Sequence, residues 1–279
     1  MLSPAKIGTP GISDKKMEKK PTALDPKFYS TAPEPLKRLR TIVQRVIAKN
    51  DDQPSLVIEI ASMVGAEIHY GIRKRGSDLN SVEVARHFNS SRTPAREAIL
   101  LLEKEGLVEV PPRRRPRVAI MTLSDIKELY GVRAAIAGIV AAEASIHATD
   151  EELQDLLDFI PEIERAAADS DSEHFYWVNV HFHERMTQLA HNITLQRILD
   201  TLVLRSLLLK RLVLSDRARL ERSAKDHIFL AQALYDRNAE LASALARSNV
   251  LCARKKLEEL LGEDNQDGAV DVPVPENGA

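Results

Sequence analysis

The sequence predicts a mainly α protein in two folded parts: a small N-terminal unit of short helices closed by a β-hairpin, then a C-terminal all-α helical bundle. Three observations carry this reading. Apolar residues recur at three- and four-residue intervals in successive segments of the chain. The run L-V-E-V (Leu107–Val110) alternates, meets P-P-R-R-R-P-R, and resumes as V-A-I (Val118–Ile120), the pattern of two short strands flanking a basic tip. From Thr122 onward the periodicity is wholly helical, with breaks that are short and rich in Asp, Ser and Asn.

The elements follow in order. Residues 1–34 combine Pro, Lys, Ser and Thr with few apolar positions, and are expected to form a disordered arm. Leu36, Leu39, Val43, Val46 and Ile47 define a leading helix over Pro35–Lys49, stopped by N-D-D-Q-P. A second helix is expected over Ser55–His69, before the glycine-framed turn G-I-R-K-R-G (Gly71–Gly76). Asn80 with Glu83 has the form of a capping box opening a short helix through Val84, Ala85 and Phe88. Only Asn89, Ser90 and Ser91 separate it from the next helix, the length of a helix-turn-helix connection. That helix carries Ile99, Leu100, Leu102 and Leu107 as apolar positions, with Gly106 placed to end it. The bundle is expected to comprise helices over 124–148, 150–168, 172–191, 194–214, 217–237 and 239–261, and residues 263–279 a disordered acidic tail. The N-terminal unit is thus bounded at 35–121 and the helical unit at 122–262.

The chain of 279 residues, 44% hydrophobic and 29% charged, is long enough for two cores. No apolar run approaches the ~18 residues of a membrane span, the longest clean stretch being Ala134–Ala142, and no apolar segment follows the N-terminal lysines. A single cysteine, Cys252, fits a reducing cytoplasm. The net charge of −2 conceals an asymmetry: Gly71–Arg117 holds eleven Lys and Arg against six Asp and Glu, while 263–279 carries five acids and no Lys or Arg. A locally basic segment in an acidic protein points to a polyanion.

The helix that follows Ser91 begins against the usual charge preference. Helix N-termini carry partial positive charge and collect acids, yet Arg92 and Arg96 occupy the first turns, on one face. Together with Ser91 and Thr93 they offer backbone N–H groups, hydroxyls and guanidinium forks to one volume. DNA supplies what those groups lack: phosphate oxygens, and the O6/N7 edge of guanine in the major groove. Pro94 is harmless in a first turn.

The segment E-V-A-R-H-F-N-S-S-R-T-P-A-R-E-A-I-L-L-L-E-K-E-G-L-V resembles the winged helix-turn-helix of the GntR family of bacterial transcription regulators. Upstream G-I-R-K-R-G-S-D-L and downstream T-L-S-D-I-K-E-L-Y-G-V-R extend the resemblance, the latter toward the FadR-like branch with an effector-binding, all-α FCD domain. The resemblance implies that Arg92 and Arg96 read DNA, that Thr93 contacts phosphate, and that Arg113, Arg114, Arg115 and Arg117 form a basic wing. The wing departs from the family pattern, which has Arg-Gly and a small residue where this chain has Arg114, Arg115 and Pro116. Glycine there permits positive φ, whereas Arg115 before proline is pushed toward extended geometry. The resemblance further implies a homodimer on an approximately palindromic double-stranded DNA operator.

In the bundle, Asn179 and His183 lie four apart, and His227 and Asn249 lie at one height if the last two helices pack antiparallel about Asn238. These positions resemble the metal site of FCD domains, built from Asp-x-x-x-His and two later histidines, with Asn179 in the carboxylate position and Asn249 in that of the last histidine. Neutral amides are poor ligands for borderline cations, so His183 and His227 would hold Zn or Ni weakly, and a small organic effector touching them directly is the expected ligand. Arg133 matches the arginine of the family's R-x-x-L-E stretch, and either closes a salt bridge within the bundle or meets an effector carboxylate. His69, His87, His147, His174 and His191 are expected at the surface or at boundaries. No Glu-x-x-His, His-Asp or Gly-rich phosphate loop supports an enzyme. A DNA-binding protein whose helical part only dimerises remains the alternative to an effector-gated regulator.

Overall fold

The computed structural model describes residues 32–48 and 55–262. Most of the expected arm, the N-D-D-Q-P break and the acidic tail lie outside the described residues. The elements run α1 (Glu34–Ala48), α2 (Leu56–Tyr70), α3 (Ser81–His87), α4 (Arg92–Lys104), β1 (Val108–Glu109), β2 (Arg117–Val118), α5 (Leu123–His147), α6 (Asp150–Leu157), α7 (Ile160–Ala168), α8 (Ser172–Leu189), α9 (Ile193–Leu214), α10 (Arg217–Tyr235) and α11 (Ala239–Gly262).

The amphipathic pattern of α1 buries Leu36, Leu39, Val43, Val46 and Ile47 against α2. Gly65 permits the approach: a Cβ there would lie 2.7 Å from Val43 Cγ1 and 3.3 Å from Leu102 Cδ2. The outer face of α1 turns to the bundle, where Arg45 reaches Glu184 at 2.9 Å and Asp200 at 3.4 Å. α1 therefore packs on both parts of the molecule.

α3 and α4 form the helix-turn-helix. Asn80 caps α3 through the Val82 N–H at 2.9 Å, so the bond goes to Val82 rather than forming the expected box with Glu83. The turn is made by Asn89 at φ 47° and by the Ser90 N–H bonded to the Ala85 carbonyl at 2.8 Å. Ile99, Leu102 and Leu107 are buried as expected, but Leu100 is 46% exposed. It sits one position beyond the face that meets α2 and α3, beside the groove described below.

The wing pairs β1 with β2 antiparallel, Val108 opposite Val118 and Glu109 opposite Arg117. The segment after Gly76, legible in sequence only as a turn, forms a third edge. The Val118 N–H bonds the Ser77 carbonyl at 3.0 Å and the Leu79 N–H bonds the Pro116 carbonyl at 2.7 Å. At the tip the Arg114 N–H closes on the Pro111 carbonyl at 3.1 Å, and Arg113 takes φ 61°. The positive φ that glycine usually supplies thus falls on Arg113, after Pro112 at the turn's first corner. That is two residues earlier than Arg115, where the family pattern puts its glycine.

α5 opens with a reciprocal box between Thr122 and Asp125 and pairs along its length with α11. By length and composition alone it could cross a membrane. It is instead the core helix of the bundle, with Ile126, Tyr130, Val140 and Ala144 fully buried. The helix expected over 150–168 is two, α6 and α7. Pro161 supplies no N–H to the Leu157 carbonyl, and its ring crowds that turn, so the hydrogen-bond ladder breaks at Asp158 and Phe159.

Replacing Gly65 with Val inserts branched bulk where a Cβ already meets the β-branched Val43. We expect destabilisation by about 1–3 kcal/mol, read as a lower urea midpoint at unchanged slope.

Candidate functional site

Two sites converge from separate segments: a basic helix end in the N-terminal unit and a buried polar pocket in the bundle. Ser91 occupies the N-cap of α4 with extended backbone, yet its side chain makes no capping bond and no acid lies in the first turn. Side chains cap α3, α5, α8, α9 and α10. The first N–H groups of α4 therefore stay open to an outside acceptor.

Arg92, Thr93 and Arg96 are exposed at this end. They line a groove of about 830 Å³ together with Val110, Arg114 and Pro116, so the wing tip and the helix start face one volume. Among the described residues, no carboxylate pairs with Arg92, Arg96, Arg113 or Arg114. Arg115 lies 3.5 Å from Asp78, both well exposed. Arg117 differs. Its register opposite Glu109 holds it in an ion pair at 2.7 Å in the stem of the wing. The arrangement can do one thing well: neutralise phosphates while a helix end and its side chains reach past them.

The bundle brings Asn179, His183 and His227 into one hydrogen-bonded group. His227 Nδ1 is 2.6 Å from the Ser223 carbonyl oxygen, so Nδ1–H donates and Nε2 accepts. Nε2 receives the Asn179 amide at 3.1 Å and the His183 Nε2–H at 3.1 Å. The lone pair a metal would need is thus taken twice. Burial, with the nearby Lys210 charge, holds the His183 imidazole well below its ordinary pKa. Burial also pushes His227 down to about 4, against the opposing pull of the Ser223 carbonyl.

Arg133, Asn179, His183 and Asn249 line one pocket, with His227 a layer deeper. Asn249 offers its carbonyl to Arg219 at 3.1 Å, while its amide turns toward Asp226. Arg133 lies over the Tyr130 ring, 5.2 Å from its centroid, and makes no salt bridge among the described residues. Sequence reasoning missed Lys210 and Arg219. Lys210 donates to Asn179 Oδ1 at 2.9 Å and is 9% exposed, with its ammonium pKa driven well below the usual range by burial and then by Arg133. The available signal was a lysine inside the run L-L-L-K-R-L-V-L. These residues do not fit zinc or nickel: two imidazoles and two amides, no carboxylate, and an ammonium bonded to the best remaining oxygen donor.

His69 departs from expectation. It is 3% exposed rather than superficial, and among the described residues neither ring nitrogen has a hydrogen-bond partner. It ends α2 where that helix meets α9, and burial followed by the charges of Arg75 and Arg211 pushes its pKa down to about 3.

A winged helix-turn-helix joined to an all-α bundle is the architecture of a DNA-binding transcription regulator. The family description "Bacterial regulatory proteins, gntR family" matches residues 56–118, and "FCD domain" matches residues 128–250. The chain is 28% identical over 153 residues to the HTH-type transcriptional regulator YdhC of Bacillus subtilis, covering 54% of this chain and 68% of that one. It is 26% identical over 213 residues to the gluconate operon transcriptional repressor of Bacillus licheniformis, covering 73% and 85%. The solved structure of E. coli McbR/YncC superposes with a TM-score of 0.62 at 20% identity, covering 76% of this chain and all of that one. The chain belongs to the gntR family of bacterial regulatory proteins and carries a C-terminal FCD domain.

The buried His69 makes stability depend on pH. In the unfolded chain its imidazole titrates near 6.5 and in the folded protein near 3, so between those values the unfolded state holds the extra proton. Stability is full above pH 6.5 and falls as the pH drops toward 3, by about 1.4 kcal/mol per pH unit from this group. Urea midpoints measured from pH 7 to 4 should decline more shallowly in His69→Leu by that amount. An unchanged slope would show that His69 takes up its proton without leaving its site.

Proposed function

We propose that the protein is a cytoplasmic transcriptional repressor that binds an approximately palindromic operator as a homodimer and is controlled by a small-molecule effector in the FCD bundle. The observation that carries the DNA half is the open, arginine-lined N-terminus of α4 facing the same groove as Arg114 of the wing. Arg92 and Arg96 contact base edges, Ser91 and Thr93 contact phosphate, and Arg113, Arg114 and Arg115 track the backbone. Arg117 acts mainly by fixing the wing through Glu109. Relatives such as the gluconate operon transcriptional repressor support the direction of control. For the effector half, Arg133, Asn179, His183 and Asn249 line one buried polar site, and His227 bonds Asn179 and His183 from behind it.

Selection from random duplexes identifies the operator for the full chain. Arg92→Ala or Arg96→Ala should then weaken operator binding by about 1–3 kcal/mol and relax preference at one position per half-site, with the circular dichroism spectrum intact. Unchanged affinity in both variants would remove α4 from the interface. Arg113→Ala with Arg114→Ala should weaken operator and random DNA alike and reduce the slope of log affinity against log salt by about 1–2.

A further inference from the structure

Three cations are buried around the bundle pocket, and no carboxylate lines it. Lys210, Arg133 and Arg219 come from α9, α5 and α10 and are each less than one tenth exposed. The acids whose charges reach them are engaged elsewhere. Asp226 stands 3.8 Å from Arg219 Nη1 but 3.0 Å from the exposed Arg222, and Glu184 is held at 2.9 Å by Arg45. Among the described residues the buried Arg219 Nε has no hydrogen-bond partner, and Arg219 Nη1 has only the 3.8 Å approach of Asp226. Buried cations short of counter-charge and buried donors short of acceptors are each strongly unfavourable, and one oxyanion satisfies both.

The position of Lys210 says more. Its Nζ is bonded to Asn179 Oδ1, in the position where the metal site implied by the family resemblance has its carboxylate. An ammonium there supplies positive charge without a metal, and repels a divalent ion. We propose that Lys210 is the resident cation of this pocket in place of a metal, and that Lys210, Arg133 and Arg219 directly bind the carboxylate or phosphate group of a small organic acid. The two guanidiniums present planar forks suited to such a group, and Lys210 adds a compact point charge on a flexible stem. The free space is about 20 Å³, room for one water-sized group. The anion therefore enters by drawing Lys210 from Asn179, rather than by filling a ready void.

The assignment rests on the reading of the bundle as the effector domain, and its test separates the two. Thermal unfolding of the full chain is followed with about 10 mM succinate, citrate or inorganic phosphate, at ionic strength fixed with sodium chloride, with and without EDTA. At least one probe should raise the melting temperature by about 3 °C or more, equally with EDTA. Lys210→Met should unfold at a higher temperature than the parent without probe, and should lose the shift. Arg219→Met should lose it too, and Lys210→Gln serves if the Met variant does not fold. A response to phosphate alone assigns a phosphate group, and a response to the organic acids alone assigns a carboxylate.

No shift with any probe, an equal shift in the Lys210 variant, or a shift abolished by EDTA overturns the proposal. Operator binding is measured on the same samples. Anion binding without altered DNA affinity overturns the effector gating and leaves the anion site standing. DNA binding without any anion response does the reverse.

Discussion

The fold turns on where α9 places two adjacent charges. Lys210 and Arg211 are consecutive, so they leave the helix about 100° apart, and each is drawn into a different part of the molecule. Lys210 enters the bundle pocket and holds Asn179 of α8. Arg211 lies 4.7 Å from the Tyr176 ring centroid of α8 and 6.0 Å from that of Tyr70 at the end of α2, with Glu173 at 2.8 Å. Earlier on the same helix, Arg205 covers Gly106 just past the end of α4, where a Cβ would meet its Nε at 2.9 Å. One helix thus touches the pocket, the end of α2 and the end of α4. Any ligand that moves Lys210 acts on an element already in contact with both.

The parts legible in sequence are those whose cause is local. Arg92 and Arg96 in a first turn and Gly106 after α4 depend on neighbours within a few residues, and they stand where periodicity puts them, whereas the box expected at Asn80 does not form and the one at Thr122 emerges only in the structure. Asn179, His183, His227 and Asn249 also lie close together, because i, i+4 spacing and antiparallel packing fix height along a bundle. What was hidden depends on distant partners. The edge formed after Gly76 exists only because β2 lies beside it, His69 is buried by tertiary packing that brings Arg75 and Arg211 near it, and Lys210 reads as one polar residue in an apolar run until Asn179 appears opposite. The break at Pro161 was local and readable, but the apolar pattern of 150–168 outweighed it.

The two sites share a physical economy. Each leaves polar groups short of internal partners among the described residues: open N–H groups and arginines without carboxylates at α4, and the buried Arg219 Nε in the bundle. The solvent-facing set loses little by waiting, since water solvates it until DNA arrives. The buried set has no such recourse, and its deficit raises the free energy of the unliganded bundle. A ligand that supplies oxyanion charge therefore recovers stability as well as contacts. The difference in affinity between two states of the protein can then exceed what the visible contacts alone would give.

The hydrogen-bond polarity in the pocket gives this deficit a direction. Ser223 fixes the His227 tautomer, His227 Nε2 then takes donors from Asn179 and His183, and Asn179, its amide committed, offers only its oxygen to Lys210. Each bond sets the next, from the α10 backbone to the α9 side chain, across three helices. If an anion takes the ammonium away, Asn179 Oδ1 loses its donor while its Nδ2–H remains bound. The strain then falls on the α8–α9 contact and not on the histidines. That contact lies beside Tyr176 and Arg211, where the bundle meets α2. Neutral imidazoles locked in one tautomer thus serve as a fixed wall, and the movable part of the site is a lysine that the sequence alone did not single out.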